Sequence, residues 1–181
     1  MDTFGHGLWV AAIFWIINML KATKKKFKIW QAVAWGVFPD IFSFAIGFFT
    51  IIVGLILGNS QSNGAHTLFS QTSPIFTLTK TLYAMSHSIV IFLIFFILLS
   101  LIFRKYLWVM FGWLVHILID IPTHENSSEW ATPYLWPFFS PASPGIQGWT
   151  SSWFTPVNYA MLIIVYVILF FVSKRITKKK K

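Results

Sequence analysis

The sequence predicts an all-α integral membrane protein, a bundle of about five transmembrane helices with its N-terminus outside and its C-terminus cytoplasmic. Three observations carry that prediction. Of the 181 residues, 56% are hydrophobic and only 10% charged, whereas a soluble domain is about a quarter charged and cannot bury so much apolar surface. The apolar residues fall in long runs of the length that crosses a bilayer. Lys and Arg cluster at alternate ends of those runs, as the positive-inside rule requires.

The first run is Phe4–Leu20. Asp2 precedes it and a basic stretch, Lys21–Lys28, follows it. These flanks are the reverse of a cleavable signal peptide. Ile29–Leu57 is longer than the roughly 20 residues a span needs, and Pro39 inside it predicts a kink or break near Asp40. Gly58–Thr81, rich in Ser, Asn, Gln and Thr, reads as a loop. Leu82–Phe103 is the third span, closed by Arg104-Lys105, and Tyr106–Ile121 is the fourth. Pro122 cannot continue that helix without losing a hydrogen bond. A polar segment then runs to Pro156, its Trp residues read as an interfacial belt. Val157–Val172 is the last span, ahead of a basic tail over 174–181. The whole reads as a single domain.

Thirteen of the fourteen Lys and Arg lie in Lys21–Lys28, Arg104-Lys105 and the C-terminal tail; Lys80 is the other. That distribution makes the net charge of +9 a topology signal that also meets anionic lipid head groups, and argues against nucleic acid as partner. With no cysteine in the chain, any transition-metal site must use His, Asp or Glu.

Gly112–His124 concentrates the chemistry. His116 and Asp120 sit four residues apart, one helical turn, and point from one face. Imidazole and carboxylate are usual zinc ligands; the same pair could instead hydrogen-bond and pin two helices. His124 follows Pro122, with Glu125 and Glu129 beyond it. His6 opens the first span, Asp40 adjoins Pro39, and His87 stands between Ser86 and Ser88 in the third span. Four spans thus place His or Asp in the outer half of the membrane. An ionisable residue there is costly unless paired, hydrated or liganded, so convergence from separate helices favours a metal site. Asp40 alternatively caps a helix resuming after Pro39, Glu125 and Glu129 alternatively are solvated loop charges, and His66 reads as solvated.

The series His6, Pro39-Asp40, Ser86-His87-Ser88, His116-x-x-x-Asp120, Pro122-Thr-His124 and Thr132-Pro-Tyr-Leu-Trp-Pro137 resembles the membrane-bound, metal-dependent hydrolase family. That family includes LexA-regulated inner-membrane proteins of bacteria and is similar in motif to zinc-dependent phospholipase C. Many relatives carry His-Arg-Gly where this chain has Leu82-Tyr83-Ala84. The resemblance implies a multi-pass protein of the bacterial cytoplasmic membrane. It implies His6, Asp40, His87, His116 and Asp120 as metal ligands, with His124 a further one.

The function expected is a hydrolase with zinc or a similar divalent ion. Its metal-activated water would attack a phosphoester or ester bond, in a lipid or lipid-linked substrate at the outer leaflet. Glu125 or Glu129 would serve as general base or as support for a ligand. Two rivals use the same residues: an ion- or proton-translocating transporter and a non-catalytic helix bundle stapled by metal.

Overall fold

The computed structural model describes residues 1–20, 26–56, 71–124, 129–139, 145 and 151–178, apart from the side chain of residue 177. The described residues form six α-helices: α1 Thr3–Leu20, α2 Ile29–Ile56, α3 Pro74–Ser86, α4 Ile89–Ile102, α5 Phe111–Thr123 and α6 Phe154–Lys178. A single 3-10 turn, Trp108–Met110, leads into α5.

Three helices are long and apolar enough to cross a membrane: α1, α2 and the Phe154–Ile176 part of α6. Their surfaces carry large exposed apolar side chains, such as Phe49 and Ile56 on α2 and Ile163 and Phe171 on α6. Water would not tolerate those rows; lipid does. Against the five expected, the described residues give three such helices, or four spans if α3 and α4 together make one.

The third expected span is the main correction. Leu82–Phe103 is not one helix: α3 and α4 are bent by 65° at a break between Ser86 and Ile89. The break is built from caps. His87 closes α3, its backbone N–H reaching Tyr83 O, and Ser88 opens α4 by accepting from the Ile91 N–H at 3.3 Å. Moreover, α3 begins at Pro74, inside the segment expected to be a loop, because Ser73 is its N-cap and Pro74 its first residue.

One further expectation changes: α2 runs through Pro39 as one helix, so there is no break there and Asp40 caps nothing. α5 ends at Thr123, one residue beyond Pro122 and so where that proline was expected to end it, with His124 as its cap. Even with its 3-10 turn, Trp108–Thr123 is too short to count as a span by length, roughly 24 Å at 1.5 Å per residue.

α2 is the hub, packing against α1, α3 and α5, while α6 packs against α1. The α2–α5 crossing is close because of glycine. A Cβ on Gly112 would stand 2.1 Å from the Ala32 carbonyl oxygen, and at the α1–α2 contact one on Gly36 would stand 2.7 Å from Val10. Beside this crossing lies an apolar core of Phe92, Met110, Trp113 and Ile117. The polar site sits at one end of it.

Candidate metal centre

Three helices and one helix break each contribute to a single polar cluster. His6 comes from the first turns of α1, Asp40 from the middle of α2, and His87 from the α3–α4 break. His116 and Asp120 come from the last two turns of α5, and His124 caps that helix. His6, His87 and His116 are fully buried, and Asp120 and His124 nearly so. Asp40 is 13% exposed, and that opening bears on the site's chemistry.

The donor atoms crowd together. His87 Nε2 and His116 Nε2 are 3.1 Å apart. Asp120 Oδ2 lies 3.1 Å from His116 Nε2 and 3.3 Å from His87 Nε2. Asp40 Oδ1 lies 3.6 Å from both. The other oxygen of Asp120 is 2.9 Å from His6 Nε2 and 3.3 Å from His124 Nδ1. The His6 ring stacks on the His116 ring with centroids 3.7 Å apart.

Hydrogen bonds decide which ring nitrogens carry protons. His116 Nδ1 is 2.6 Å from Gly36 O. A carbonyl only accepts, so Nδ1 holds the hydrogen and Nε2 of the neutral ring is a lone pair. His87 is fixed by a longer chain. Ser43 donates to Pro39 O at 2.7 Å, which spends its hydrogen. Ser86 therefore donates to Ser43 at 2.8 Å and accepts from His87 Nδ1 at 2.9 Å. His87 Nε2 is then also a lone pair.

Two imidazole lone pairs and two carboxylate oxygens thus face one point. They repel one another unless a cation stands among them. Ligands about 2.0–2.1 Å from a zinc ion stand roughly 3.3 Å apart at tetrahedral angles, and five of the six distances among these four atoms run from 3.1 to 3.6 Å. Asp120 Oδ2 and both ring nitrogens of His6 are buried without a hydrogen-bond partner, short distances notwithstanding. Atoms that approach without hydrogen-bond alignment are what a shared ion produces. The outer contacts have the same character: ligating histidines characteristically donate their second N–H to a carbonyl or similar acceptor, and Thr3 Oγ1 donates to Asp40 Oδ2 at 2.8 Å.

Two triads, His6–His116–Asp120 and Asp40–His87–His116, each bring three ligand atoms within 4.8 Å of one another. The chain therefore holds a buried His and Asp cluster, between apolar helices of membrane-crossing length, that is suited to a divalent metal ion.

Comparison with family models, with curated proteins and with solved structures found no match. The functional reading therefore rests on the geometry.

The remaining expected site residues fall elsewhere. Glu129 is exposed and contacts the Gln71 side chain, away from the donor cluster. Glu125, His66 and the basic residues 21–25 lie outside the described residues. Trp130, expected in an interfacial belt, packs its ring on Phe44, Phe76 and Tyr83. Sequence reasoning passed over Ser43 and Tyr83. Ser43 was detectable as a lone serine four residues after Pro39. Tyr83 stacks on the His87 ring at 3.8 Å and its hydroxyl donates to Trp130 O at 2.8 Å.

A cavity of about 1020 Å³ reaches the cluster. Asp40 and His124 are its polar residues next to the donors, and Phe44, Phe76, Tyr83 and Trp130 wall it. The cluster is thus reached from one side, an arrangement compatible with a catalytic metal centre.

Proposed function

We propose that this protein is a membrane-embedded, metal-dependent hydrolase that cleaves a phosphoester or ester bond, in a lipid or lipid-linked substrate, at the outer leaflet. The observation that carries the reading is the convergence of four proton-free donor atoms, of His87, His116, Asp40 and Asp120, on one point reached by a cavity. The resemblance to bacterial membrane-bound metal-dependent hydrolases supports it, and with it a place in the bacterial inner membrane. Zinc or a similar divalent ion bound there supplies Lewis acidity and lowers the pKa of a coordinated water to about 7.

The chain's own residues do the rest. His87, His116, Asp40 and Asp120 hold the ion, and the Gly36 carbonyl and the Ser86–Ser43 relay keep the two imidazoles in their ligating form. Thr3 fixes the Asp40 carboxylate. His6 and His124 set the charge on the far oxygen of Asp120. The apolar cavity wall excludes bulk water from the reacting group, which strengthens every charge interaction within. The basic ends of the helices face the cytoplasm and anionic lipid, with the metal end facing out.

Elemental analysis of detergent-purified protein tests this directly. Wild type should carry a stoichiometric divalent metal, and His116→Ala with Asp120→Ala should carry none and turn over no phosphoester or ester. Wild-type protein that stays metal-free after zinc addition would leave the cluster as helix glue and end the hydrolase reading.

A further inference from the structure

The cavity's lip is apolar where it meets the membrane. Phe4 at the start of α1 is 82% exposed, and Ile41 and Phe48 of α2 are 57% and 59% exposed; Ala45 between them is exposed too. All four line the cavity. On α2, Ile41, Ala45 and Phe48 follow one another at helical spacing and share one face, which also carries Val37 and Phe44 of the cavity wall. That lip is continuous with the exposed apolar surface of a helix long enough to cross the bilayer. The cavity therefore opens sideways to hydrocarbon.

The volume points the same way. Small-molecule sites run to roughly 300–1,000 Å³, and about 1020 Å³ is far more than a phosphate or a small ester would fill. An empty apolar wall of this size asks for an apolar occupant.

We infer that the α1–α2 edge is a lateral portal by which a membrane amphiphile reaches the site, its apolar part passing the Ile41–Ala45–Phe48 face before its scissile group comes to Asp40 and His124. Asp40 and Phe48 are eight residues apart, roughly 12 Å along the helix, so the portal face adjoins the site. Ala45 is the specificity-determining position: its small side chain leaves the groove open midway between the flanking Ile41 and Phe48. This inference rests on the hydrolase reading for the identity of the reacting group, but not for the portal itself.

The test uses the full chain in phosphatidylethanolamine and phosphatidylglycerol vesicles, with a phospholipid carrying a diazirine in its acyl chain. Photolabel should map to Ile41–Phe48 and fall at least fivefold in Ala45→Trp, while Phe49→Trp, on a neighbouring exposed face, leaves it unchanged. In turnover assays Ala45→Trp should lose at least tenfold on a long-chain ester and nothing on a short-chain soluble one, with metal content unaltered. Label spread evenly round the exposed surface of α2, or unmoved by Ala45→Trp, would overturn the portal. Wild-type protein that binds metal yet cleaves neither ester would end the hydrolase reading alone, with the photolabel still deciding the portal.

Discussion

At the scale of single residues, the decisive groups are those that set imidazole protonation. Ser86→Ala removes the hydroxyl that accepts from His87 Nδ1, leaving only Tyr83 O at 3.1 Å. Loss of such an orienting partner typically weakens metal binding by about 10–100-fold. Ser43→Ala should cost less, because the Ser86 hydroxyl can still turn to Tyr83 O at 3.3 Å. Zinc affinity measured by chelator competition should therefore rank wild type above Ser43→Ala above Ser86→Ala. Equal affinities would mean that the serine relay does not set the His87 tautomer. Reading alone singled out His87, since an imidazole inside an apolar run is conspicuous. It did not reach Ser43, whose importance comes from a neighbour 43 positions along the chain.

At the scale of helices, the site depends on how closely α2 and α5 approach. Alanine at Gly112 would drive its Cβ into the Ala32 backbone, which no rotamer change relieves. Overpacking of this kind typically costs about 1–3 kcal/mol. His116 lies one turn further along α5, so the same displacement draws its ring from Gly36 O. Gly112→Ala should lower both the unfolding midpoint in detergent and the zinc affinity, and an unchanged midpoint would refute the close-packing account. Helices α1, α2 and α6 were legible because each is one uninterrupted apolar run. The α3–α4 break was not, because hydropathy is averaged over a window and a two-residue cap hardly moves it. Ser73-Pro74 and Ser88 were the local signals for the true starts. The proline at 39 misled in the opposite direction. A proline removes one hydrogen bond from the ladder, but α2 is packed by α1, α3 and α5, so the helix carries on.

At the scale of the whole molecule, charge and site lie at opposite ends. The start of α1, the start of α4, the end of α5 and the start of α6 meet at the cluster, the last through Tyr159, whose hydroxyl donates to Asp2 at 2.8 Å. The other ends of those helices carry Lys26 and Lys28, Arg104 and Lys105, and Lys174, Arg175 and Lys178. On the positive-inside rule the proposed orientation has the basic ends in the cytoplasm and the cluster end outside. Because the chain has no cysteine, single substitutions can report orientation without first removing native thiols. A membrane-impermeant maleimide applied to intact cells should label Glu129→Cys and spare Lys178→Cys, and permeabilisation should expose the latter. The reverse pattern would put the site at the cytoplasmic face. An outer-leaflet substrate would then be excluded, whereas the ligand geometry and the lateral portal, which do not depend on which side is which, would apply to the inner leaflet.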